Sequence, residues 1–197
     1  MARRTQAQME QTRALLLATA RDFFCRLGYA ETSMDDLTAS VELTRGALYH
    51  HFGDKQGLFL AVVEQIDAEM NQRLQTITDN SDDLWSSFQQ RCHAYLEMAL
   101  EPEYQQVILR DAKAVLGEAI AKSNLQCADA IEKIIAKLVE DNVIANVEPR
   151  ALAALLNGGL SEAAYWIAQD KSETRLKQSI ASIDVLLNGL KAPAKRG

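Results

Sequence analysis

A chain of 197 residues that is 48% hydrophobic, with nine Gly and three Pro, has the mass for one large or two small domains with a buried core. Its net charge of −6 and pI near 5.1 exclude a generally basic, nucleic-acid-coating surface. Its three cysteines, Cys25, Cys92 and Cys127, stand far apart with no Cys-x-x-Cys pair, which excludes a disulfide framework or a zinc site and leaves buried free thiols as the expected state.

No strand alternation of any length occurs, whereas helical spacing recurs from end to end, so an all-α fold of about nine helices is expected. The N-terminal MARRTQAQMEQTR lacks an apolar signal core, and LLLATARDFF is too short and too charged to span a bilayer. A cytoplasmic protein without a membrane partner is the expectation. In the first helix Leu16, Leu17, Ala20, Phe23, Phe24 and Leu27 share a face, and Gly28 supplies a stop. Thr32 or Ser33 caps a second helix with Asp35 and Asp36 in its first turn and Met34, Leu37 and Val41 facing the core.

Thr44 caps a third helix that turns Leu48 and Phe52 inward, with Ala47 beside them. Asp54 opens a long fourth helix with Leu58, Phe59, Val62, Val63, Ile66, Met70, Leu74 and Ile77 at spacings of three and four. After the polar break TDNSDD, Asp82 or Asp83 opens a helix that ends before Pro102. A shorter helix is expected from Glu103 to about Asp111, and Gly117 marks a bend. Cys127, Ile131, Ile134, Leu138 and Val139 form the next stripe. The connector NVIANVEP precedes helices from Pro149 to Gln169 and from Ser172 to about Leu190, and KAPAKRG is a basic tail.

Within this layout Thr32–Lys55 stands out, because two short helices joined by a tight turn and followed by a long helix are the layout of a helix-turn-helix DNA reader. Residues 1–55 balance seven Lys and Arg against seven Asp and Glu, so the whole negative excess lies in the remainder. A neutral head on an acidic body can bind phosphates through a few placed cations while resisting indiscriminate adsorption to DNA.

The landmarks Leu17, Ala20 and Phe24, then Gly28-Tyr29, Thr32-Ser33, Leu37, Leu43 through Phe52, and Lys55, Leu58 and Phe59 resemble the DNA-binding domain of the tetracycline-repressor (TetR) family. ILRDAKAVLG and LNGGLSEAAYWIA resemble the ligand-binding domain of one subgroup. The resemblance implies a helix-turn-helix head (10–70, with the motif at 33–52), a ligand-binding and dimerisation body (71–192) and a disordered tail (193–197). Two departures stand out. Val41-Glu42 replaces the usual Ala-Gly of the turn, where Glu in left-handed backbone costs roughly 1 kcal/mol. The N-terminal arm offers only Arg3 and Arg4.

Arg45, at the start of the third helix, is the residue suited to a bidentate guanine contact. Thr44, Gly46, Ala47 and His50 belong to the same reading segment, with Ala47 able to touch a thymine methyl. Tyr49 and Thr32 or Ser33 offer hydroxyls to phosphate, the latter at a helix N-terminus, and Lys55 supplies a phosphate clamp. His51 is open between core packing and phosphate contact.

Enzymatic signatures are missing: His50 and His51 are adjacent on a helix, His93 is alone, and no nucleophile elbow, Walker loop or dinucleotide fingerprint occurs. No cofactor is implied. In the body, Leu176, Ile180, Ile183 and Leu187 repeat at four-three-four like a coiled-coil seam. Leu152, Gly159 and Ala163 share a stripe on the preceding helix. Both stripes also suit a monomer core, and the resemblance favours pairing across a two-fold axis. Candidate cavity residues are Trp85, Phe88, Cys92, Tyr95, Met98 and Tyr104, followed by Leu109, Asn124, Asn157, Glu162, Tyr165 and Trp166. With no cluster of cations among them, an apolar or aromatic effector is expected and a strongly anionic one is not. The function implied is that of a homodimeric repressor released from a palindromic operator by such an effector. The alternative is a helical ligand- or protein-binding module whose head does not bind DNA.

Overall fold

The computed structural model describes residues 6–117, 121–170 and 173–192, with side chains given for all of these except 121–127. Asn124, Cys127, Arg3, Arg4 and the tail 193–197 therefore lie outside the described side chains. Helices α1 (Gln6–Glu31), α2 (Met34–Ser40) and α3 (Arg45–Phe52) form the head. Helix α4 (Lys55–Asp79) leads into α5 (Leu84–Met98). Helix α6 is a π-helical segment, Tyr104–Ala112, that runs on into an α-helical turn, Lys113–Leu116. Helices α7 (Ala121–Glu140), α8 (Pro149–Asp170) and α9 (Glu173–Gly189) complete the body. Among the described residues there is no strand, only one antiparallel bridge between Ile144 and Lys191 that ties the connector after α7 to the end of α9.

Side chains that satisfy free amides fix the helix starts. Ser33 Oγ accepts from Asp36 N (3.3 Å), Thr44 Oγ1 from Ala47 N (3.2 Å) and Asp54 Oδ1 from Gly57 N (2.7 Å). Asp83 accepts from Trp85 N and Ser86 N. Each such cap is worth about 1 kcal/mol. Ser33 and Asp83 thus settle the two alternatives that the sequence left open.

Two hydrophobic cores result, and α4 and α6 belong to both. The head core joins Leu16, Ala20 and Phe24 of α1 to Leu37, Leu48, Leu58, Phe59 and Val62, with Phe24, Tyr29 and Phe59 in mutual ring contact. Met70 and Leu74, further along α4, enter the body core. The buried series of α1 runs Leu16–Ala20–Phe24–Gly28 at spacing four. That series drifts about 40° per step on a 3.6-residue helix, which leaves Leu27 behind at 49% exposure although the sequence placed it inward. Cys25 is likewise only partly buried.

Gly28 breaks α1 as expected, with φ +79° and ψ 170°, and helical structure resumes to Glu31. A Cβ at Gly28 would lie 2.8 Å from Gln106 Nε2, so glycine is required both by conformation and by the approach of α6. In the turn between α2 and α3 Glu42 adopts φ +53°. Leu43 N donates to Thr38 O (2.9 Å) and Glu42 N to Ala39 O (3.2 Å), so the turn closes despite the substitution.

Candidate nucleic-acid interface

The outer face of α3 presents Thr44, Arg45, Gly46, Tyr49 and His50 to solvent, with Ala47 half-buried beside them and Leu48 fully buried beneath. Arg45 is held in place before any ligand arrives. Its Nη2 donates to Tyr49 OH (2.9 Å), its Nη1 to Asp35 Oδ2 (3.2 Å), and its guanidinium lies over the Tyr49 ring. The Tyr49 and Asp35 contacts raise its pKa, so it remains a cation. His51 is half-buried, with its ring against His50 and Phe52.

Two expected phosphate contacts need correction. Thr32 is 2% exposed and its hydroxyl donates to Gly28 O (2.7 Å), so that group is consumed inside the head, and the exposed hydroxyl at this helix start is that of Ser33. Lys55 is half-buried, with Nζ 3.3 Å from Ala30 O and 4.5 Å from the Tyr29 ring centroid. Burial lowers its pKa, partly opposed by Glu31. It closes the carbonyl end of α1 as well as facing outward.

In the body a narrow cleft of about 370 Å³ lies between α4, α5, α7 and α8, of which about 20 Å³ admits the centre of a water molecule. Of the residues expected at a cavity, Phe88, Cys92, Tyr95 and Asn157 line it. Leu74, Arg91, Ile131 and Leu160, which the sequence did not single out, complete the wall. Arg91 was legible: it stands three residues after Phe88 and four before Tyr95, on the same helical face. Trp85, Met98, Tyr104 and Leu109 are buried in the core instead, while Glu162 is exposed and Tyr165 half-buried. Trp166 is 40% exposed beneath the Arg175 guanidinium. Burial pushes the Cys92 thiol up to about 12, against a smaller opposing effect of Arg91, so it stays neutral and poorly nucleophilic.

Ile183 and Leu187, expected in an intersubunit seam, are buried within the chain's own core, where α9 packs on α5 and α8. Leu152, Ala163, Leu176 and Ile180 are half-buried against that core, and Gly159 is exposed. What α8 and α9 turn outward is Leu155 (74% exposed), Trp166, Val185 (73%) and Leu186 (63%). An open groove of about 780 Å³ runs between the two helices, lined by Leu155, Gly159, Ala163, Trp166 and Leu186 among others. Among the described residues no helix is long and apolar enough to cross a membrane, and no three metal-ligating side chains converge.

The family of bacterial regulatory proteins of the tetR type matches residues 16–62, and the tetracyclin repressor-like C-terminal domain matches residues 85–190. The crystal structure of a TetR-family transcriptional regulator from Pectobacterium atrosepticum is 56% identical, with a TM-score of 0.88, over 96% of this chain and 99% of that one. The HTH-type transcriptional regulator AcrR of Shigella flexneri is 25% identical over 95% of this chain and 93% of its own length. The HTH-type transcriptional repressor BepR of Brucella suis is 24% identical over 98% of both. The C-terminal match alone spans more than half of the sequence and falls on α5 to α9, and the N-terminal match falls on the helix-turn-helix head: the chain belongs to the TetR family of bacterial transcriptional regulators, DNA-binding proteins and not enzymes.

Proposed function

We propose that the chain is a homodimeric repressor that reads a palindromic operator through α3 and is released by a small apolar or aromatic effector. The observation that carries this reading is the outer face of α3, where Arg45 stands fixed by Tyr49 and Asp35 on a helix whose opposite side is locked by Leu48. Arg45 would read guanine, and Ala47 a thymine methyl, with Thr44, Gly46 and His50 completing the contact with base edges. Ser33, Tyr49 and Lys55 would hold phosphates.

Residues 10–70 serve as the head and 71–192 as the sensing and pairing body. The exposed apolar face of α8 and α9 supports pairing there, because an apolar patch of this kind marks a protein interface. Gly158 and Gly159 support it too: an added Cβ would meet nothing within 4 Å, so these exposed glycines relieve no crowding inside the chain. They leave room for a second backbone.

The effector would occupy the α4–α5–α7–α8 cleft. As it stands the cleft holds about one water. Anything larger parts its walls, and one wall is Leu74 of α4, the helix that also carries the head core. A second route runs through the edge contact of Tyr95 with Tyr104 to α6, whose Asp111 accepts from Tyr29 N (2.7 Å) at the end of α1. Binding of effector and of operator would then oppose each other by one coupling energy, typically 1–3 kcal/mol. The closed turn at Glu42 favours a competent head over a binding module that has lost DNA.

Selection from a random DNA library tests the reading. Wild type should enrich one palindrome, and Arg45→Ala should lose discrimination at one position per half-site, about 1–3 kcal/mol. Absence of any enriched palindrome would sink it.

A further inference from the structure

The cleft is apolar on most sides, yet Arg91 of α5 is 5% exposed and lines it. A guanidinium keeps its charge at any physiological pH, and taking it out of water is costly, so a buried one favours anionic company. Beside it Cys92 stays a neutral thiol, and Tyr95 and Asn157 add neutral polar groups that can donate a hydrogen bond. Phe88, Ile131 and Leu160 make the rest an apolar surface. A planar fork of donors at one end of an apolar slot matches a carboxylate bidentately, with the hydrocarbon or ring lying along the slot.

From this we infer that the effector is a monocarboxylic acid bound as its anion, with its carboxylate on Arg91 and its apolar body between Phe88, Ile131 and Leu160. The inference rests on the assignment of this cleft as the effector site and narrows its chemistry: an apolar body with one acidic head. A dianionic head such as a phosphate monoester does not fit, because Arg91 is the one charged residue among those lining the cleft. Sequence reading alone disfavoured anions because it sought a cluster of cations. A single buried cation suffices for a single carboxylate.

The test is calorimetric titration of the DNA-free full-length protein with 4-phenylbutyrate and octanoate, each against its neutral amide. Wild type should bind at least one acid ten or more times more tightly than its amide. Arg91→Met should erase that ratio while leaving amide affinity within about threefold, and Arg91→Lys should keep part of it. Equal binding of acid and amide by wild type, binding of neither acid, or an unchanged ratio in Arg91→Met overturns the inference. Should Arg91→Met fail to fold, the wild-type ratio and the Arg91→Lys variant still decide. No operator is present in these titrations, so failure of the repressor reading and failure of this one are read separately. An acid preference without any effect on operator affinity would leave the binding site standing and remove its regulatory role.

Discussion

At Glu42 the backbone sits at φ +53°, a conformation that L side chains reach only at about 1–2 kcal/mol. The neighbouring hydrogen bonds of the α2–α3 turn keep their lengths, so the strain is absorbed rather than relieved by a change of turn. Glu42→Gly should therefore raise stability by about 1 kcal/mol, seen as a rise of roughly 2–4 °C in Tm for a chain of this size. A fall in Tm would show that Glu42 earns its place through a contact outside the chain. Arg45 illustrates the same economy: one exposed cation is pre-oriented by one tyrosine and one aspartate. An acidic protein can bind DNA specifically when its cations are few and already aimed.

Helix α6 is where packing overrides the usual helical period. Tyr104 and Leu109 face the body core, and Val107 and Ala112 face the head core. Both pairs are five residues apart, a spacing that stacks on a π-helix, with its i→i+5 bonds, but not on an α-helix. The wide turn lets one short segment serve two cores. Its partner α1 approaches it at Gly28, so Gly28→Ala should cost about 1–3 kcal/mol from backbone strain and disturb the Gln106–Asp111 bond (3.0 Å) that supports Tyr29 N. Thermal unfolding measures this, with an unchanged Tm as the contrary result.

The head was legible in the sequence because caps, glycine and apolar spacing there all follow local rules: Ser33, Thr44, Asp54 and Leu48 do what their positions imply. The body was less so. A five-residue repeat matches no standard helical template, and a seam such as Leu176–Leu187 reads alike whether it faces its own core or a second chain. Only packing showed that Ile183 and Leu187 point inward and Leu186 outward. Arg91 escaped notice because a lone arginine on an amphipathic helix ordinarily lies in water.

On the scale of the whole molecule, α4 and α6 join the two cores, reinforced by Arg21 of α1, which pairs with Glu69 on α4 and Glu103 just before α6. Glu69 is held below its ordinary carboxylate range chiefly by its hydrogen bond to Arg21. Its contribution is therefore present at neutral pH and lost as pH falls through that lowered value, and its partial exposure keeps it small. A structure joined in this way passes a small opening of the cleft to the head, and a second copy on α8 and α9 converts one reading helix into two. Leu186→Glu should leave folding intact, since the side chain is 63% exposed, but shift the protein to monomer in sedimentation. A dimer that persists would move the interface elsewhere.

Hydroxyl-radical footprinting on the selected operator tests the paired geometry most directly. Two protected windows centred one helical turn apart, roughly 34 Å on one face of the duplex, are the predicted result. A single window, or protection without two-fold symmetry, would contradict a dimer reading successive major grooves through α3.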